Sequence, residues 1–314
     1  MPVINIGQLA ATTLQNYQKT FADNIGRDVV LLNHMKANGM VQTENGGREI
    51  VMPLEYGNST AVGTFSGTST ITNPYQEGID AATYDWVNYY AGISISKDDE
   101  LKNNGEFAVK KLIKSKIRQA ERTLKEKIEL DVHTGGGGTT AVVGTQTLVA
   151  ATGTVGDISG TTETFWRSYV ESTGGALSVA YIRDMVNDID SLPGDSVSLL
   201  ETTVVLHAKY ESLLTAVLQY NVTTTKEMKR LGDAGIATLG FRGIPMVYNR
   251  FVPAGEMYAI SPALKMIQHK DANFDVLPME KISGQMVYEQ FILQTMALVT
   301  DNRRKLGKLT GKTA

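Results

Sequence analysis

Apolar positions recur with helical spacing through residues 106–133. Val109, Ile113, Ile117, Ala120, Leu124 and Ile128 follow one another at intervals of four, four, three, four and four, which aligns them on one face of an α-helix. Charged residues fill most of the other positions, and no Gly or Pro interrupts the run. The pattern predicts a helix over Glu106–His133, 28 residues and roughly 40 Å long.

The segments before it read differently. Residues 1–45 suggest a partly helical arm, with Leu9, Leu14, Tyr17, Phe21, Ile25 and Val29 in loose helical spacing and Asn38-Gly39 as a stop. From residue 46 to 98 the chain turns rich in Thr, Ser, Gly, Tyr and Val. Strand-like runs at Arg48–Glu55 and Trp86–Ser96 enclose the polar stretch GNSTAVGTFSGTS. This predicts a long β-hairpin with a flexible tip. A two-stranded ribbon is at best marginally stable alone in water. It needs a partner surface, which another chain can supply.

After the helix, Gly135–Gly138 pose a choice between a phosphate-binding loop and a helix exit. A phosphate loop precedes a helix N-terminus. Here the glycines follow a helix, whose C-terminal carbonyls carry negative partial charge. The prediction is that Gly135 ends the helix in a left-handed conformation and that a strand follows in TTAVVGTQTLVAATGTV. Further on, Val179, Ile182, Met185, Val186 and Ile189 share a helical face. Thr203–Leu206 reads as a buried strand running into a helix, and FRGIPMVYNRFVPAGEMYAIS as strand, turn at Pro253-Ala254-Gly255, strand. More strands follow, with a turn at Asp301-Asn302. Local helices between non-adjacent strands make an α+β domain.

Composition narrows the functional classes. The chain has 314 residues, an ordinary 42% apolar content and a net charge of −3, so it is neither disordered nor a generally basic nucleic-acid binder. It has no cysteine, which excludes disulfides, thiol catalysis and thiolate metal sites. No secretory signal or membrane span is legible, which points to synthesis in the cytoplasm. The four histidines, His34, His133, His207 and His269, do not pair with one another at metal-ligand spacing, and no HExxH or GxSxG is present. DIDSLPGDS has Leu192 and Pro193 where a calcium loop wants a ligand and a glycine, so it reads as a helix end and turn. GKLTGKTA spaces Gly307 and Gly311 one residue too closely for a Walker A loop. Nothing supports an enzyme, and neither a cofactor nor a metal is expected.

The element order, together with GGREIVMPLEYG, KSKIRQAERTLKEKIELDV, VVLHAKYESLLTAV, FRGIPMVYNRFVPAGEMYAIS and MALVTDNRRKLGKLTG, resembles the major capsid proteins of tailed bacteriophages, the Hong Kong ninety-seven fold. The resemblance covers nearly the whole chain. It implies an N-terminal arm (1–45), an extended loop (46–98), a peripheral domain with a spine helix (99–160), an axial domain (161–292) and closing peripheral strands (293–314). It also implies assembly through pentamers and hexamers into an icosahedral shell enclosing double-stranded DNA. Expected partners are further copies of the chain, the DNA by non-specific contact, a portal, a separate scaffolding protein and a decoration protein. The expected location is the virion capsid, with assembly in the host cytoplasm.

Two alternatives stay open: an encapsulin compartment of the same fold, and a nucleic-acid-binding protein using the basic half of the long helix. Charge adds a candidate interface. Arg48 to Ser96 holds Glu49, Glu55, Glu77, Asp80 and Asp85 against Arg48 alone, a net −4. The first half of the helix holds Lys110, Lys111, Lys114, Lys116 and Arg118. The loop of one subunit is expected beside the basic half-helix of a neighbour. Arg48 to Ser96 contains no lysine, so no covalent cross-link from this stretch is expected.

Overall fold

The computed structural model describes residues 29–98 except 69, 72 and 74–76, then 106–215 and 239–314. The predicted helical spacing of Leu9–Ile25 lies outside these residues. The long helix runs from Glu106 to Thr134, 29 residues. Leu124, Ile128 and Val132 are buried along one stripe of it, continuing the predicted face. A short helix, Val30–Ala37, precedes it in the chain.

Two sheets organise the remainder. In the first, Val41–Glu44 pairs parallel to Leu264–Val276, which pairs antiparallel to Val287–Thr300. Strand Val87–Ser96 lies on the other side of Val287–Thr300, in register from Val87 opposite Met296 to Ser96 opposite Val287. The second sheet has six strands in the order 239–241, 244–248, 199–202, 257–260, 307–309 and 169–171. Helices Val179–Asp190 and Val204–Thr215 pack on it. Ile182, Met185, Val186 and Ile189 have no exposed surface, whereas Val179 is 38% exposed. One apolar cluster lies around the first sheet and the long helix, a second between the six-stranded sheet and its two helices.

Several local expectations are corrected. Ile50–Glu55 pairs with Ile79–Tyr84, not with the run ending at Ser96. The reason is the alternation in Val87–Ser96. Val87, Tyr89, Ile93 and Ile95 are buried and Asn88, Tyr90 and Ser94 exposed. Such a face needs a sheet and a core behind it, which a free ribbon lacks.

The segment after the glycines is not a strand either. Gly136 bridges Val143, Thr145–Leu148 forms one helical turn, and only Thr154–Val155 is extended in a ladder. Gly137 and Gly138, at φ of 83° and 81°, adopt the left-handed conformation, and Gly135 does not. Gly135 is needed for closeness: a Cβ there would lie 2.2 Å from Val142 O and 2.5 Å from Asp131 O. The strand expected at Thr203–Leu206 sits earlier, at Leu199–Thr202, where all four residues are buried, and Val204 already belongs to the helix.

The turn at Asp301-Asn302 forms. The Asn302 side chain accepts from Arg304 N–H at 3.1 Å and opens a 3₁₀ turn, Arg303–Lys305. Lys305 Nζ then donates to Ile189 O at 3.1 Å and Leu192 O at 2.7 Å. A buried ammonium therefore serves the carbonyls at the end of helix 179–190, within the stretch that superficially resembled a calcium loop.

Candidate functional site: the hairpin and the buried junction

The hairpin is anchored at its base and bare beyond it. Ile50, Leu54, Ala82 and Tyr84 are buried against the body. Tyr84 Oη donates to Thr300 O at 3.1 Å, Thr83 N–H to Gly156 O at 3.1 Å, and the Tyr56 ring stacks on Phe165 at 4.2 Å. Further out, Val62, Phe65, Ile71 and Ile79 are 82, 70, 72 and 79% exposed. Apolar burial is favourable by about 25 cal/mol per Å², so this concentration of uncovered side chains favours association.

All five predicted acidic residues, Glu49, Glu55, Glu77, Asp80 and Asp85, are exposed. Glu49 meets its neighbour Arg48 at 3.1 Å, and Asp80 Oδ1 accepts from Ala81 N–H at 2.8 Å. On the helix, Lys114 and Arg118 are exposed, and half-buried Lys116 donates from Nζ to Ser94 O at 3.0 Å. Lys110 and Lys111 lie in the helix, with side chains outside the described residues. Among the described residues, no ion pair joins the acidic set to the basic set within one chain.

The structure also gathers a cluster that sequence reasoning missed. Glu129 and His133, one turn apart on the long helix, meet Glu201 of the central strand and Asn249. Glu129, His133 and Glu201 have no exposed surface. His133 Nδ1 contacts Glu129 O at 2.8 Å and its Nε2 contacts Glu201 Oε2 at 3.0 Å. Both partners are acceptors, so the ring carries both protons as an imidazolium. Asn249 Nδ2 donates to Glu129 Oε1 and to Glu201 Oε1, each at 2.8 Å. Glu129 also accepts Leu31 N–H at 2.9 Å and Leu32 N–H at 3.3 Å. It thereby caps helix 30–37, whose own N-cap residue, Val29, offers no side-chain acceptor.

The electrostatics follow from burial and charge. Burial raises the Glu129 carboxyl to about 7, with Glu201 adding to the rise and His133 opposing it. Burial alone would lower His133, but Glu201 and Glu129 outweigh it and raise the ring to about 9. Nearby His34, hydrogen-bonded to Ser198 Oγ at 3.1 Å, is lowered to about 4 by burial. The ligand atoms of Glu129, His133 and Glu201 lie within 4.8 Å of one another, close enough for a shared cation. Each carboxylate oxygen, however, already faces an N–H donor. That saturation makes a clamp between helix 30–37, the long helix and the six-stranded sheet rather than an open coordination site. The one sequence signal was Glu129 and His133 at i, i+4 on a polar-looking stretch.

No protein-family model matches the chain, and no curated protein is similar to it in sequence. The likeness lies in the fold. A chain of the cyanophage A-1(L) capsid asymmetric unit superposes with a TM-score of 0.72 at 15% identity, over 94% of this chain and 96% of that one. A capsid chain of a native GTA particle gives 0.66 at 10% identity, over 96% of each chain. A chain of the holo-SrpI encapsulin complex from Synechococcus elongatus gives 0.57 at 11% identity, over 97% of this chain and 95% of that one. The chain therefore has, along nearly its whole length, the α+β Hong Kong ninety-seven-type capsid fold.

Proposed function

We propose that this chain is the major capsid protein of a tailed bacteriophage, whose copies close through pentamers and hexamers into an icosahedral shell around double-stranded DNA. The observation that carries the reading is the two-way match of length and fold with a cyanophage capsid chain, 94% of one and 96% of the other. The exposed apolar side chains on the hairpin agree with it, because a shell covers them with neighbouring copies. In this reading residues 1–45 form the arm and 46–98 the extended loop. Residues 99–160 and 293–314 form the peripheral domain, and 161–292 the axial domain. The acidic loop residues and Lys110, Lys111, Lys114, Lys116 and Arg118 face each other across subunits. The work is structural, not catalytic. The further partners are a portal, a separate scaffolding protein and a decoration protein, and the site of assembly is the host cytoplasm.

Expression of the full chain, with sedimentation and negative-stain microscopy of the soluble fraction, tests this. Closed particles that protect DNA from nuclease are expected. Closed particles that hold a copurified protein and no DNA would instead favour an encapsulin, a reading kept open by the likeness to the Synechococcus chain. Denaturing electrophoresis of mature particles should give a single band near 34.1 kDa, because Arg48–Ser96 holds no lysine for a cross-link.

A further inference from the structure

Strand Val87–Ser96 is paired on one side only. It runs along Val287–Thr300, and among the described residues no strand lies against its other edge. In an antiparallel pair, alternate residues turn both N–H and C=O away from the partner. Ser94 belongs to that outward set, since its carbonyl accepts from Lys116 Nζ at 3.0 Å. The period of two adds Gly92, Tyr90 and Asn88, an open edge of roughly 20 Å. A groove of 690 Å³ separates this edge from the long helix. Lys116, Gln119, Thr123 and Lys127 line its helix side, and among the described residues no carboxylate lines it.

The hairpin carries a complementary edge. Thr83 N–H points outward to Gly156 O. Ala81 and Ile79, two and four residues earlier, therefore face outward too. Pro53, which has no N–H to give, sits opposite Ala81, as suits a pair without ladder hydrogen bonds. Ala81 N–H is met by the Asp80 carboxylate, a neighbour in the chain. Each open edge is thus guarded by a charge: an ammonium on a carbonyl at one, a carboxylate on an N–H at the other. Charged side chains are a usual guard against edge-to-edge pairing, and these two are of opposite sign.

On the shell reading above, we propose that the outer edge of Val87–Ser96 receives residues 77–81 of a second copy as an added strand. In the joined state Lys116 and Asp80 leave their backbone guards and pair with each other. Main-chain hydrogen bonds then supply the contact and the charge pair sets the register. Lys127 is already paired with Asp131 at 2.7 Å, so Lys116 is the groove's cation that faces the hairpin's acidity, with Glu77 and Asp80 inside the added segment, and this fixes the choice of occupant.

Amide hydrogen exchange on the full chain, before and after assembly, tests this. The amides of Asn88, Tyr90, Gly92 and Ser94 should slow by at least about tenfold in closed particles, while those of Tyr89, Ala91 and Ile93 change little. Fast exchange at the first set in closed particles would overturn the strand addition and leave the shell reading standing. If the chain stays unassembled, the same amides are followed on addition of a peptide of residues 77–85, and the absence of protection there also overturns the proposal. Charge exchange gives a second readout: Lys116→Glu and Asp80→Lys should each reduce particle yield, or protection by the matching peptide, and the double variant should restore it. Single variants that behave as the parent chain refute the pairing.

Discussion

Replacing Glu201 by Gln removes one negative charge from the buried junction with little change of shape. The new amide must set its NH₂ against either Asn249 Nδ2 or His133 Nε2, both donors in the parent chain. His133 loses the main group that holds it up at about 9 from an ordinary 6.5. At about 1.4 kcal/mol per pH unit, that rise corresponds to about 3 kcal/mol. The stabilisation is complete below pH 6.5 and is lost as pH climbs through 9. Two neighbours also titrate. Glu129, raised from 4.5 to about 7, favours the folded state in its protonated form, a contribution lost as pH rises from 4.5 to 7. His34, lowered from 6.5 to about 4, costs stability as pH falls from 6.5 toward 4. These two oppose each other between pH 4.5 and 6.5 and nearly cancel. The parent chain should therefore be about level in stability over that interval and lose about 4 kcal/mol between pH 6.5 and 9, most of it from His133 and the rest from Glu129 below pH 7. Glu201→Gln should be about 3 kcal/mol less stable at pH 6, with the gap closing toward pH 9.5. Urea denaturation of the unassembled chain across pH 5–9.5 reads both curves. A parent curve that stays level above pH 6.5, or a variant curve parallel to it, would refute the reasoning.

Four other variants separate causes that look alike in sequence. Gly135→Ala places a Cβ 2.2 Å from a backbone oxygen and should cost about 3 kcal/mol or more, whereas Gly138→Ala, left-handed at φ 81° in open space, should cost about 1 kcal/mol; chemical denaturation compares them. Lys305→Met strips the donors from Ile189 O and Leu192 O and should lower unfolding free energy by about 2 kcal/mol, measured in the same way. Phe65→Ser combined with Ile79→Ser, at positions 70 and 79% exposed, should reduce closed particles in microscopy while leaving the unfolding of the unassembled chain within about 0.5 kcal/mol.

The long helix was legible because its evidence is local: a sustained period, no Gly or Pro, and an end at His133 predicted against Thr134 observed. The overall order of elements was legible for the same reason. Pairing was not. Val87–Ser96 finds its partner at Val287–Thr300, far along the chain, and nothing in either stretch names the other. Ile79–Tyr84 was overlooked because only Ala82 and Tyr84 of its residues are buried, too few to make a visible alternation. Thr203–Leu206 looked like strand through its β-branched residues, yet Val204 and Val205 are exposed helical positions, 54 and 61%. There tertiary context overrides propensity. The acidic and basic sets were readable as composition. The contacts of Asp80 with Ala81 N–H and of Lys116 with Ser94 O, at two open edges, needed the direction of individual N–H and C=O groups. The buried junction was invisible because Glu201 and Asn249 come from segments with no common pattern.

The cap on helix 30–37 also sets a timetable. Leu31 waits 98 residues for Glu129 to be synthesised, and Glu129 waits a further 120 for Asn249. At about 5–20 residues per second, roughly 10–40 s pass between the emergence of the first helix and completion of its seat. The earliest helix of the described chain is therefore among the last to be fixed in place. Throughout that interval the helix has no completed seat, and a chaperone has its opportunity to act on a chain whose body is already forming.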